Sequence, residues 1–228
     1  TGLNAPDGFA EKTTKFLSDN TGIPFKVSEI QAEGIASHSR FVQLSSGLKR
    51  LALSLMKMAN DIRWMGSGPR AGLGELKLPQ NEPGSSIMPG KINPTQSEAL
   101  IQVCLRVLGN DHVMAISEGY GSILDLNVAK PLMAVTILDS LNILAGGILS
   151  FAENLLVDLR ADSERIKKDI EQSLMIVTRL SPIVGYDTAS KIAKYAEKNN
   201  LTIREAIEEL NIEIDENLDK VLDPTEMV

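Results

Sequence analysis

FVQLSSGLKRLALSLMKMANDIRWM, residues 41–65, is the stretch whose reading decides the fold. Phe41, Leu44, Leu48, Leu51, Leu55, Met58, Ile62 and Met65 stand alternately three and four apart, so one stripe of a helix is apolar from end to end. Carried back to Ser28, the pattern predicts a helix from Ser28 to Met65, about 55 Å long at the α-helical rise. The average globular helix has about three turns. A helix this long belongs in a bundle or a coiled coil.

The neighbouring segments repeat the theme. Leu138, Leu141, Ala145, Ile148, Ala152, Leu155 and Leu159 give a second long pattern from about Val128 to Leu159, with Gly146-Gly147 marking a bend or a close helix contact. Leu100, Val103, Val107 and Met114 form a stripe on a helix from Thr95 to about Glu118, interrupted by Asn110 and Asp111, which fit a specificity device at a helix seam. A short amphipathic helix is expected over 8–19, closed by Asn20 and Gly22. No hairpin signal of any strength and no internal repeat is present. Beyond Asp162-Ser163 the helices shorten and charge density rises, Thr202-Ile203-Arg204-Glu205 has capping-box spacing, and Asp223-Pro224 ends the last helix. The expected architecture is all-α: an elongated bundle of long helices over 1–162 and a small helical domain over 163–228.

Composition narrows the function. A chain of 228 residues buries a substantial core. Its net charge of −7, with Lys and Arg scattered, argues against nucleic acid or an anionic membrane as partner. The single cysteine, Cys104, sits in an apolar helical run, which fits a buried small side chain in a reducing compartment. With no signal peptide and no apolar span of about 18 residues read in the sequence, a soluble, cytoplasmic protein is expected.

Between the long helices lies Gly84-Ser85-Ser86-Ile87-Met88-Pro89-Gly90-Lys91-Ile92-Asn93-Pro94. Glycine and proline are used this densely where a loop must hold one backbone shape, and such loops on rigid scaffolds commonly carry function. Asn93-Pro94-Thr95-Gln96 reads as a helix start with Asn93 at N-cap and Pro94 at N1. That helix end, with Lys91 two residues before the cap, would cradle a carboxylate or phosphate. A serine hydroxyl here needs its alkoxide stabilised, and Lys91, the helix end and the loop amides are the groups at hand. Glu98, one turn into the helix, either orients a partner from another segment or complements the helix dipole. The glycine-rich run Gly66–Gly74 lacks the lysine of a phosphate loop and reads as a helix terminator and flexible connector. His38 and His112 have no ligand-spaced partners, and neither a metal nor a cofactor is expected.

The loop resembles the signature of the fumarase/aspartase superfamily, Gly-Ser-Ser-x-Met-Pro-x-Lys-x-Asn, complete here from Gly84 to Asn93. Asn81-Glu82-Pro83, Gly90 and Thr95-Gln96 look like the class II fumarate hydratases within it, and the likeness runs from Thr1 to Val228. The resemblance implies metal-free, reversible hydration of fumarate to (S)-malate. It makes Ser85 the base, Lys91 and Asn93 carboxylate ligands, and Ser86 with the Ile92 backbone substrate contacts. Glu98 matches the residue that pairs with a catalytic histidine. That histidine's Gly-x-Thr-His motif and a Ser-x-Thr substrate segment are absent, so the chain looks like the carboxy-terminal portion of such an enzyme. The family further implies a homotetramer whose active sites draw on three subunits. Other readings are an aspartate ammonia-lyase or related lyase, and a non-catalytic helical scaffold.

Overall fold

The computed structural model describes residues 4–85 and 87–227; Thr1–Leu3, Ser86 and Val228 lie outside the described residues. The fold is all-α, with 66% of the described residues helical. It divides into two compact units: residues up to Arg63 with Gln80–Val157, and Trp64–Pro79 with Asp158 onward.

The first unit opens with α1 (Phe9–Thr21), which ends on Gly22 in the left-handed conformation, its N–H bonded to the Ser18 carbonyl. The helix expected over Ser28–Met65 is instead two: α2 (Gln31–Ala36) and α3 (Ser39–Met65). Ser37 is extended, with φ −116° and ψ 146°. Its Oγ donates to Glu118 Oε1 at 2.9 Å, and the Ala36 carbonyl accepts from Ser122 Oγ at 2.6 Å. Ser122 thus takes the Ala36 carbonyl that a continuous helix would have bonded four residues on, and Glu118 holds the Ser37 side chain at the break. At 27 residues, α3 is still about 40 Å long.

Two helices complete this unit's frame: α4 (Thr95–Tyr120) and α5 (Lys130–Phe151), the latter continued by a π-helical turn over Ala152–Leu156. They pack on one another where Gly147 leaves room; a Cβ there would stand 3.3 Å from both Val103 methyls. Met114, Met133 and Ile137 form a core against Val42 and Leu48 of α3. Asn110 and Asp111 are buried and bonded. Asn110 Nδ2 donates to Asp139 and Ser140, each at 2.9 Å, while Asp111 accepts from Ser45 at 2.9 Å and Lys49 at 2.5 Å. The polar pair therefore ties α4 to both neighbours in one register.

Three expectations need correction. Ser122–Ile123 and Leu126–Asn127 do form a small antiparallel hairpin, β2 and β3, after the first short strand β1 (Leu76–Lys77). Its turn places Leu124 at φ 55°, a conformation that turn glycine or asparagine usually announces and leucine does not. Thr95–Tyr120 and Lys130–Leu156 each contain an 18-residue window, of mean hydropathy 1.2 and 1.8, long and apolar enough to cross a membrane by length and composition, contrary to the expected lack of such a span. The run Gly66–Gly74 does terminate α3 at Met65, but it is a closed loop and not a loose connector. The Gly74 N–H donates to Ser67 O at 2.7 Å, and a Cβ on Gly72 would stand 2.6 Å from the Ser67 carbonyl carbon.

That loop belongs to the second unit. There β1 pairs with β4 (Arg160–Ala161), and Arg165 Nη2 donates to the Gly72 carbonyl at 3.1 Å. Asp162 caps α6 (Ser163–Gln172) through the Arg165 N–H and pairs with Lys77 at 2.9 Å. A 3₁₀ turn over Leu174–Arg179 leads to α7 (Ser181–Val184), α8 (Tyr186–Asn199), α9 (Ile203–Glu209) and α10 (Leu218–Val221). The capping box at Thr202 and Glu205 is formed on both sides. After Asp223 the chain winds once more, as a 3₁₀ turn over Pro224–Met227. Leu180, Ile192, Ile203 and Ala206 are fully buried at the centre of this unit.

Candidate active site

The loop from Gly84 to Asn93 leaves and rejoins the scaffold through a narrow neck. A Cβ on Gly84 would fall 1.7 Å from the Lys91 carbonyl oxygen, so only glycine lets the two strands of the neck meet. Asn93 Nδ2 closes the neck by donating to Gly84 O at 3.0 Å. This corrects the helix-start reading. Pro94 occupies the N-cap of α4, its carbonyl accepting from the Glu98 N–H at 3.0 Å, and the Asn93 amide reaches across the loop instead. One of that amide's two donors is thereby used.

Ser85 follows the neck and is half-buried. Its Oγ accepts from the N–H groups of Ile87 at 3.1 Å and Met88 at 3.3 Å. Two backbone donors aimed at one hydroxyl oxygen stabilise negative charge there, as an alkoxide requires. Beyond them the chain turns through Met88–Lys91, with the Lys91 N–H on the Met88 carbonyl at 3.2 Å. Lys91 is exposed, and its backbone lies against Gly84, which brings it beside Ser85 across the neck. Ile87 and Ile92 are exposed apolar side chains, Ile87 by 86%. Glu98 is half-buried in the first turn of α4. Ser86 lies outside the described residues.

The structure thus gathers Ser85, Lys91 and Asn93 around one neck and places Glu98 at the helix start beyond it. A cleft of about 620 Å³ elsewhere in this unit is lined by Lys26, His38 and Arg40 among others, and no loop residue lines it. Among the described residues, no group of three or more His, Cys, Asp or Glu side chains is placed to hold a metal ion. Sequence reasoning missed Ser150 and Asn154, which bond near the loop's flanks. Their signal was a polar pair four apart inside the apolar run Leu149–Leu156.

Residues 1–109 match the family described as Lyase, and residues 176–228 the family described as Fumarase C C-terminus. With the helical fold and the Gly-Ser-Ser loop, these matches place the chain in the fumarase/aspartase superfamily of lyases, to which it belongs. Within that class the likeness is to class II fumarate hydratases along the whole sequence. The chain is 46% identical over 228 residues to mitochondrial fumarate hydratase of Dictyostelium discoideum, covering 100% of this chain and 47% of that protein. It is 48% identical over 228 residues to fumarate hydratase class II of Rhizobium meliloti, covering 100% and 49%. The crystal structure of class II fumarase from Schistosoma mansoni matches with a TM-score of 0.92 at 38% identity, covering 100% of this chain and 50% of that one. The chain spans about half the length of the curated relatives it matches.

Proposed function

We propose that the chain carries the base-bearing loop of a class II fumarate hydratase, interconverting fumarate and (S)-malate. The observation that carries the reading is the pair of backbone N–H groups on Ser85 Oγ, inside a neck that only glycine allows. In the dehydration direction, the Ser85 alkoxide takes a proton from the malate carbon next to a carboxylate. Negative charge then builds on that carboxylate, where the Lys91 ammonium and the remaining Asn93 donor meet it. The hydroxyl on the adjacent carbon leaves as water, protonated by an acid that the Glu98 carboxylate orients. Ser86 and the Ile92 backbone complete the contacts to substrate.

That acid is a histidine from outside these 228 residues, supplied in an assembly of several chains. Support for assembly comes from the α3 seam: Phe41, Leu44 and Leu51 are 48%, 47% and 43% exposed in the single chain. Leu138 and Leu149 of α5 are exposed as well. Apolar stripes of this length are covered in bundles by other helices, and a homotetramer with shared sites covers them. An aqueous, reducing compartment such as the cytoplasm suits the buried free thiol of Cys104.

The test is the ultraviolet absorbance of fumarate during incubation with malate, for the chain alone and together with the remaining part of a class II fumarate hydratase. The expected result is almost no turnover alone and marked turnover when the second part is added. Substantial turnover by the chain alone overturns the account of an acid held elsewhere. Absence of turnover in the mixture, with ammonia released from aspartate instead, turns the reading to a different lyase of the superfamily.

A further inference from the structure

The geometry points to a positioning platform for the Ser85 loop at the C-terminal end of α5, built from Asn81, Gln96, Ser150 and Asn154. The inference deepens the loop's proposed role and rests on it for one of its two readouts.

α5 does not end as an ordinary helix. Its continuation over Ala152–Leu156 is wound as a π turn, with the Val157 N–H on the Ala152 carbonyl at 3.2 Å. Such turns are uncommon and concentrate at functional sites. The last carbonyls of any helix lack intrahelical partners. Here the Asn154 carbonyl accepts from Asn81 Nδ2 at 2.6 Å. One turn earlier, Ser150 Oγ donates to Gln96 Oε1 at 2.8 Å and accepts from Asn154 Nδ2 at 3.2 Å. The same Asn154 amide donates to the Ser150 carbonyl at 3.0 Å.

What matters is where the partners sit. Asn81 stands just before the neck at Gly84, and Gln96 just after it at Asn93. One short segment of α5 therefore holds the chain on both sides of the loop. Phe151 and Leu155, each 2% exposed, root that segment in the core. The neck bond of Asn93 fixes the loop's width, and the platform fixes its position on the scaffold. A base has to be held within about 0.5 Å of its productive place, and a displacement of about 1 Å is enough to cost about a hundredfold in rate. Asn81, Ser150 and Asn154 touch no reacting atom in this arrangement. They are positioning residues.

The experiment compares the chain with its Asn81→Ala, Ser150→Ala, Ser150→Thr and Asn81→Ala/Ser150→Ala variants by residue-resolved amide hydrogen exchange. The N–H groups of Ile87, Met88 and Lys91 are expected to exchange about tenfold faster in each alanine variant and faster still in the double variant, as local opening becomes easier. Ser150→Thr keeps the hydroxyl and restores slow exchange. Amides of Leu100–Met114 and Met133–Leu144 stay as they were. In the two-part malate assay, the alanine variants lose about ten- to a hundredfold in kcat with KM nearly unchanged. Unchanged exchange in the loop, or equal acceleration in α4 and α5, overturns the platform. Accelerated loop exchange together with turnover indifferent to Ser85→Ala leaves the platform standing and removes the base assignment.

Discussion

The two units of this chain satisfy their apolar residues in opposite ways. In the second unit, short helices close over Leu180, Ile192, Ile203 and Ala206, all fully buried within a few dozen residues of sequence. In the first unit the 27-residue helix α3 buries mainly small or polar side chains, namely Ser45, Ala52 and Ala59. Of the α3 seam leucines, Leu44 and Leu51 remain exposed, while Leu48 and Leu55 are half-buried. Ile62, 7% exposed, is the seam residue that the chain itself covers well. Long straight helices cannot curl back over their own stripes, whereas short ones joined by tight turns can. The tail unit therefore covers its central apolar residues itself, whereas the long-helix unit leaves Phe41, Leu44 and Leu51 exposed, the stripe that the proposed assembly would cover.

The sharpest way to break this contrast is to charge the exposed seam. Leu44→Glu with Leu51→Glu puts two carboxylates where a partner helix would desolvate them, and unpaired buried charges are among the costliest changes known. Sedimentation velocity is expected to show an oligomer for the unaltered chain and a helical monomer for the double variant. A well-folded monomer before any substitution removes the contrast.

A smaller effect is expected in the tail. Leu180→Ala empties a fully enclosed site and should cost about 2–5 kcal/mol. Thermal unfolding followed by circular dichroism should show an early transition confined to the tail's share of helix, with association unaffected. Uniform loss of both units would mean that they do not melt separately.

The smallest effect is acid dependence. Asp162 is held below the ordinary aspartate range first by its hydrogen bond from Lys77 and then by the Arg165 N–H. A carboxyl with a depressed folded pKa stabilises the fold above its unfolded value of about 3.9. That contribution drains away as pH falls through the lower folded value. Asp162→Asn keeps an acceptor for the helix cap but loses the ion pair. The tail's midpoint should then fall less steeply with pH below about 4 than in the unaltered chain. An identical slope would show that the Lys77 pairing contributes nothing.

Much of this was legible in the sequence, and what was missed shares a physical cause. Periodicity alone located α3, α4 and α5, because a 3-4 apolar spacing has no other regular conformation to satisfy. The break at Ser37 was not legible, since its reason is Glu118, 81 positions away. The same holds for Asn93. Beside a proline it reads as a cap, yet the carbonyl it serves belongs to Gly84, on the far side of a loop. Residue chemistry announced the loop through its glycines and prolines, and Ser85 and Lys91 through their place in it. Ser150 and Asn154 carried only a weak mark, because a π turn has no residue signature comparable to a cap or a hairpin.

The account turns on whether Ser85 supplies the oxygen that removes the proton. Its most direct measurement is malate dehydration by the two-part assembly with Ser85→Ala, read as kcat alongside the sedimentation coefficient. The expected result is a loss of about 10²–10⁴ in kcat, the range of a missing general base, with the assembly unchanged. Turnover within a few-fold of the unaltered protein, in an intact assembly, would contradict it.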